Sequence, residues 1–293
     1  MPHGDRAPQV ITGATRLAAV IGSPVRHSLS PVILNAAFAA TGTDWVFVAL
    51  EVPEGAGAAA IAAARTLGLA GLSVTMPHKA AAAAAVDDLT PAAADLGAVN
   101  CVIAEERRLV GDNTDGDGFL DALRLDAGID PAGRRCVLLG AGGAGRAVAR
   151  ALGRAGAEVI VVNRSPEPAA RAAALAGPAA RVGSAADVPG ADLVVNATPL
   201  GMGAVGSGVT ARRGPLPVDP AALHAGQVVV DLVYHPAVTP LLAAAAEAGA
   251  TAVGGLGMLV HQAAHAFRRW TGDEPPTGAM AAAAQAALTA RIS

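Results

Sequence analysis

The chain is 293 residues long, with a formal net charge of −3 and 53% hydrophobic but only 2% aromatic residues, which suits two α/β domains of about 100 to 200 residues each with a cleft between them. Its apolar stretches break at Gly, Pro or charge before reaching the roughly 18 to 20 residues of a bilayer span, so no membrane helix is expected. No Lys/Arg cluster could neutralise a run of phosphates, which argues against nucleic acid as a partner, and the opening MPHGDRAPQV lacks the basic and apolar regions of a secretory leader, so a cytoplasmic protein is expected.

Short apolar strands alternate with alanine-rich helices from the start. A strand over 17–22, a helix from Pro31, a strand over 45–52, a helix after Pro53 and a strand over 68–75 follow one another. This βαβαβ order predicts a parallel sheet. Pro77 opens a further helix, 97–103 reads as a strand, and RLVGDNTDG returns as a strand ending in a loop, so a first domain is expected over 1–115.

A second domain is expected over 116–255. Its strands fall at 134–140, 158–164, 191–198 and 227–234, with helices after a GAGGAG turn, around 167–176 and over 239–248. That is the doubly wound, Rossmann-type pattern of dinucleotide-binding domains. The Gly- and Pro-rich segment 199–220 is long for a packed domain and is expected to be weakly ordered. Two helices, 257–270 and 277–291, close the chain; with the second sheet complete, 256–293 is expected to return to the first domain or bridge the two. Cys101 and Cys136 sit in apolar strand contexts and are expected to be reduced core thiols.

The cofactor signal is Gly140-Ala141-Gly142-Gly143-Ala144-Gly145, between a strand and a helix. Glycines let the backbone turn tightly against a pyrophosphate, which the helix N-terminus holds with free N–H groups. An NAD site usually places Asp or Glu about 20 residues further on. Here that place reads Asn163-Arg164-Ser165, which lacks a carboxylate and offers a guanidinium for the 2′-phosphate of NADP.

The first domain carries polar residues that a plain scaffold does not need. Ser28 and Ser30 alternate in IGSPVRHSLSP, although Ser30 before Pro31 reads first as a helix N-cap. Of the 21 basic residues, 20 are arginine and one is lysine, Lys79. It follows Thr75 at the opening of a helix, where a cation opposes the helix dipole, and an amine can release a proton that arginine keeps. Asn100 and Asp115 follow in AVN and GDNTDG. An ammonium and a carboxylate in one cleft can bind a polyol and move a proton.

Other motifs read as decoys. His261-Gln-Ala-Ala-His265 has the spacing of a zincin helix, but Gln262 replaces the glutamate and no third ligand is evident, so no metal is expected. GDNTDGDG resembles a calcium loop, but started at Asp112 it puts Gly116 and Leu123 where oxygen ligands belong. His27 and His78 read as local hydrogen-bonding residues.

Together these motifs resemble the shikimate dehydrogenase family from Val20 to Trp270: IGSPVRHSLSP, SVTMPHK, GAVN, GDNTDG, GAGGAGRA with NRS, NAT, and DLVYHPAVTPLL with GLGMLVHQAAHAF occur in family order. The resemblance implies that Ser28, Ser30, Thr75, Asn100, Asp115 and Gln262 bind the hydroxyls and carboxylate of shikimate. Lys79 would bind substrate and serve as acid and base, with Asp115 orienting it, and Tyr234 would contact the substrate. Gly142 to Ala144 would hold the pyrophosphate of NADP(H), Asn163, Arg164 and Ser165 its 2′-phosphate, Leu232, Gly255 and Met258 would lie around the nicotinamide, and Gly140, Ala141 and Thr198 would also bind the cofactor.

One position departs from the family: the second basic residue often found after NR[ST] is Pro168 here, with Arg171 one turn later as a substitute, so secondary use of NAD stays open. Two rival readings also stay open, a quinate or aminoshikimate dehydrogenase and a non-catalytic NADP(H)-binding regulator. As an enzyme of this family the chain is expected to act as a monomer or homodimer, reversibly reducing 3-dehydroshikimate in chorismate and aromatic amino acid biosynthesis.

Overall fold

A computed structural model describes residues 10–106, 108–203 and 216–290. The chain forms two six-stranded sheets, each with its own helices. The first lobe runs β1 (Arg16–Gly22), α1 (Ser30–Thr41), β2 (Trp45–Glu51), α2 (Gly57–Thr66), β3 (Gly71–Val74), α3 (Lys79–Ala85), β4 (Asp88–Leu89), α4 (Pro91–Leu96), β5 (Cys101–Glu105) and β6 (Arg108–Asp112). Its sheet has the order β2-β1-β3-β5-β6-β4.

The expected parallel sheet is found for β2, β1 and β3, but β5 runs antiparallel to both β3 and β6. Chain length decides this. A parallel return needs a crossover of about a dozen residues, and only positions 106 and 107 separate β5 from β6, with Glu106 turning at a φ of 51°. The strand expected from position 97 begins at Cys101, because α4 stops at Gly97 in the left-handed region, φ 57°.

The second lobe starts with α5 (Asp115–Asp121), which widens into a π-helical turn over Ala122–Asp126. There follow β7 (Arg135–Leu139), α6 (Gly143–Arg154), β8 (Glu158–Val162), α7 (Pro166–Ala176), β9 (Arg181–Val182), β10 (Leu193–Asn196), β11 (Val228–Asp231), α8 (Pro240–Glu247) and β12 (Thr251–Gly254). All pairs in this sheet are parallel, in the order β12-β11-β10-β7-β8-β9. Strand order reverses between β7 and β10, the kind of switch point where such sheets bind ligands. Neither β9 nor β12 is evident from the sequence pattern. The weak order expected over 199–220 concerns a segment most of which, 204–215, lies outside the described residues.

Helices α9 (Leu256–Thr271) and α10 (Thr277–Ala290) return to the first lobe. Phe267, Trp270, Met280 and Leu288 are buried in one core with Phe38, Trp45 and Phe47. The Trp270 indole N–H donates to the Val102 carbonyl at 3.0 Å, and its ring stacks on Phe47 with centroids 5.8 Å apart. Each such side chain contributes about 1.5–3 kcal/mol by leaving water, which anchors the last two helices far in sequence from the sheet they cover. Cys101 and Cys136 are free and buried, and burial pushes both thiols above their usual range. No described helix is long and apolar enough to cross a membrane.

Candidate active site

A cleft of about 470 Å3 opens between the lobes. From the first lobe, the segment after β1 brings Ser28 and Ser30 to its wall, and the end of β3 brings Thr75 and Lys79. The capping role expected for Ser30 is not found: the α1 N-cap is Leu29, without a side-chain bond, and Ser30 is the first helical residue. Pro31 fixes the first turn from N1/N2, so the Ser30 hydroxyl is released toward the cleft. It lies 3.2 Å from the Ser28 hydroxyl.

Lys79 opens α3, and its ammonium donates to Asp115 Oδ2 at 2.5 Å. Both side chains are largely shielded, at 22% and 9% exposure, so the pair is far less screened than a surface contact. The other carboxylate oxygen of Asp115 accepts from Asn100 Nδ2 at 2.7 Å. Asn100 Oδ1 in turn accepts the Thr114 backbone N–H at 2.8 Å. Gln262 enters from α9, its side-chain amide donating to the Leu259 carbonyl at 2.8 Å.

Thr114 is a member of this network that the sequence reading passed over. Its hydroxyl donates to the Gln262 carbonyl at 3.0 Å, tying the loop before α5 to α9. Asp112 is another: buried, it accepts from Thr90 Oγ1 at 2.5 Å and pairs with Arg269 Nε at 3.0 Å. The position of Thr114 inside GDNTDG was a signal; nothing local marked Arg269. His78 is buried with Nε2 2.8 Å from the Val52 carbonyl, a local structural role as expected, whereas His27 lines the cleft.

The second lobe supplies Ala144, Leu232, Tyr234 and Gly255 to the same cleft and α9 supplies Met258, along with Met202 of the second lobe and Leu259 of α9, which were not anticipated. Gly140, Ala141, Gly142, Gly143, Asn163, Arg164, Ser165 and Thr198 do not line it; they follow the carboxyl ends of β7, β8 and β10, beside the switch point. Gly140 has φ 101°, and a Cβ on Gly145 would stand 2.2 Å from the Gly140 carbonyl, so the turn requires glycine at both places. Gly142 caps α6 without a side-chain bond, which leaves the first-turn N–H groups for a ligand. These features fit a dinucleotide.

Asn163 locks this turn to the next strand, accepting the Ala141 N–H at 3.2 Å and donating to the Ser165 carbonyl at 2.9 Å. Arg164 is exposed and makes no hydrogen bond or ion pair among the described residues. Arg171 does not replace the missing second cation freely, because its guanidinium is paired with Glu167 on the same helix. Thr198 bonds Asn196 Oδ1 at 2.7 Å, and Asn196 donates to the buried Asp231 at 2.9 Å. Burial pushes the Asp231 carboxyl above its ordinary value, against hydrogen bonds from Thr239, the Val233 N–H and Asn196 that pull it down.

Residues 20–102 match the model of the shikimate dehydrogenase substrate binding domain, and 255–285 that of the shikimate 5′-dehydrogenase C-terminal domain. Between them, 135–234 match a model described as NADP oxidoreductase, coenzyme F420-dependent. The NADP(+) shikimate dehydrogenase of Moorella thermoacetica is 47% identical over 92% of each chain. The chain belongs to the shikimate dehydrogenase family. Another member, the NADP(+) enzyme of Citrifermentans bemidjiense, is 47% identical over 95% of this chain and 98% of its own. The crystal structure of shikimate 5-dehydrogenase from Thermus thermophilus, in complex with NADP(H) and shikimate, is 39% identical and covers 93% of this chain and 100% of its own, with a TM-score of 0.85. Asp115 falls outside all three matched spans of this shikimate dehydrogenase homologue, yet it is the residue that Lys79 touches.

Proposed function

We propose that the chain reversibly reduces 3-dehydroshikimate to shikimate with NADPH, in the cytoplasm, as a monomer or homodimer. The substrate side is formed by 1–115 with 256–293, and the dinucleotide side by 116–255. The observation that carries this reading is the Lys79–Asp115 pair at 2.5 Å, in a cleft lined also by Ala144 and Leu232 of the dinucleotide lobe and by Met258 of α9.

Ser28, Ser30, Thr75, Asn100, Asp115 and Gln262 bind the hydroxyls and carboxylate of the substrate, and Tyr234 contacts it. Gly142 to Ala144 hold the pyrophosphate, Leu232, Gly255 and Met258 border the nicotinamide, Asn163, Arg164 and Ser165 hold the 2′-phosphate, and Gly140, Ala141 and Thr198 complete the cofactor site. Bound NADPH supplies the hydride. As the ring carbonyl gains negative charge, the Lys79 ammonium stabilises the oxygen and gives it a proton, leaving a neutral amine that solvent reprotonates. In the reverse direction the neutral amine takes the hydroxyl proton. Asp115 orients the lysine through one oxygen while Asn100 holds the other, so the donor is placed before substrate arrives.

The test follows absorbance at the NADPH band with shikimate and then quinate, each with NADP and with NAD. Turnover is expected to be fastest with shikimate and NADP. A chain that binds NADP but turns over neither acid would overturn the reading in favour of a regulator.

A further inference from the structure

The His261/His265 spacing, set aside as a metal motif, does other work in the fold. His261 Nε2 lies 3.0 Å from Asp126 Oδ1, and His265 Nε2 lies 2.8 Å from Asp121 Oδ2. Each imidazole faces its own carboxylate, and no group of three or more His, Cys, Asp or Glu that could hold a metal occurs among the described residues.

The two pairs join elements that belong to different lobes. Phe119 of α5 and Leu123 of the π turn are buried in the core of the second sheet, with Cys136 and Leu138. Val260, Ala263, Ala264 and Phe267 of α9 are buried in the core of the first, with Val20 and Phe47. These are also the two places where the chain crosses: α5 and its π turn lead from β6 to β7, and Gly255 with α9 leads from β12 back to the first lobe. The His–Asp pairs therefore fasten one crossing to the other.

Their register depends on the π turn. The histidines are four residues apart on a regular helix and share a face, whereas Asp121 and Asp126 are five apart, a spacing that regular helix turns to different faces. The i→i+5 bond from the Ala127 N–H to the Ala122 carbonyl, at 3.2 Å, widens the turn and returns Asp126 to the side of Asp121. The helices approach closely around the pairs. A Cβ on Gly118 would stand 2.5 Å from the Gln262 nitrogen, and one on Gly257 would stand 2.5 Å from Asp126 Oδ2.

The same two elements carry cleft residues. Asp115 begins α5, while Met258, Leu259 and Gln262 project from α9 on either side of His261. We propose that His261 and His265, with Asp126 and Asp121, are positioning residues: they set the offset between the Lys79–Asp115 pair of the substrate side and the nicotinamide wall. Folding stability is measured beside the rate because the pairs are only partly exposed, with 8% exposure at the His261 side chain and 50% at that of Asp126.

The proposal rests on the reductase reading, and its test uses the full chain carrying Asp121→Ala with Asp126→Ala, beside Asp121→Asn with Asp126→Asn. For each, kcat, KM, the isotope effect with NADPH deuterated at the transferred position, NADPH affinity without substrate, and melting temperature are measured. The alanine pair is expected to lower kcat about 10-fold and enlarge the isotope effect, since small misplacements are costly to hydride transfer, while NADPH affinity stays within about twofold of the parent. The asparagine pair, whose amide oxygens still accept from the imidazoles, is expected to recover most of the rate. Alanine variants with the parent's kcat and isotope effect would overturn the proposal; so would a loss of rate matched by a loss of NADPH affinity, or asparagine variants no better than alanine. A parent chain inactive on 3-dehydroshikimate would instead sink the reductase reading.

Discussion

The two walls of the cleft are organised in opposite ways. On the substrate side, Lys79, Asp115, Asn100, Thr114 and Gln262 are already joined by hydrogen bonds, several of them buried. On the dinucleotide side, Gly142 and Gly143 are exposed, the α6 N-terminus has no side-chain cap, and Arg164 has no partner among the described residues. The task proposed for each wall accounts for the difference. A proton donor must be held in place for the moment that charge develops, so its partners are built in. An anionic cofactor brings its own hydrogen-bond acceptors, so the groups that receive it are left open.

From this contrast, the largest effect is expected on the pre-joined wall. Lys79→Ala should lower kcat by about 10² to 10⁴-fold, the usual contribution of general acid–base catalysis, with a much smaller change in shikimate affinity measured by titration. Full turnover by this variant would remove the mechanism. On the open wall, Arg164→Ala should weaken NADPH binding by about 10- to 100-fold, as one charged hydrogen-bonding group is worth about 1.5–3 kcal/mol. Binding of NADH, which lacks the 2′-phosphate, should move by less than about twofold, and equal losses for both would show that Arg164 does not read that phosphate.

The smallest effect sharpens the comparison within the second lobe, where Asp231 is fully buried and accepts from neutral donors. Burial raises its folded-state value above the ordinary 3.8, so the folded chain holds this proton more tightly than the unfolded one. The stability that comes from it is complete below the unfolded value and is lost as pH rises through the raised folded value. Asn at this position cannot ionise. The melting temperature of the parent minus that of Asp231→Asn should therefore fall as pH rises through this window; a constant or rising difference would refute the assigned cause.

Much of this was legible in the chain itself. The βαβαβ opening, the glycine turn between β7 and α6, the absence of a carboxylate after β8 and the lone lysine are all local patterns, and each reports a local requirement of backbone or charge. Ser30 was misread as a cap for the same reason: a Ser-Pro pair looks alike whether the helix begins at the serine or just after it. The direction of β5 and β6 was left open because two apolar strands read the same in either direction, and only the short connection between them decides. The HxxxH spacing showed two histidines on one face, but not that two aspartates 135 and 144 residues away would face them.

Sequence alone thus determined the element pattern, the dinucleotide turn and the residue types able to bind a polyol and move a proton, because these depend on neighbours a few positions apart. Tertiary structure decided which of them meet. Lys79 reaches Asp115 across 36 positions, and Asn100 approaches Gln262 across 162, because helices α5 and α9 cross between two separately packed cores. A contact of that kind is set by the packing of both lobes together and is written in no single stretch of chain.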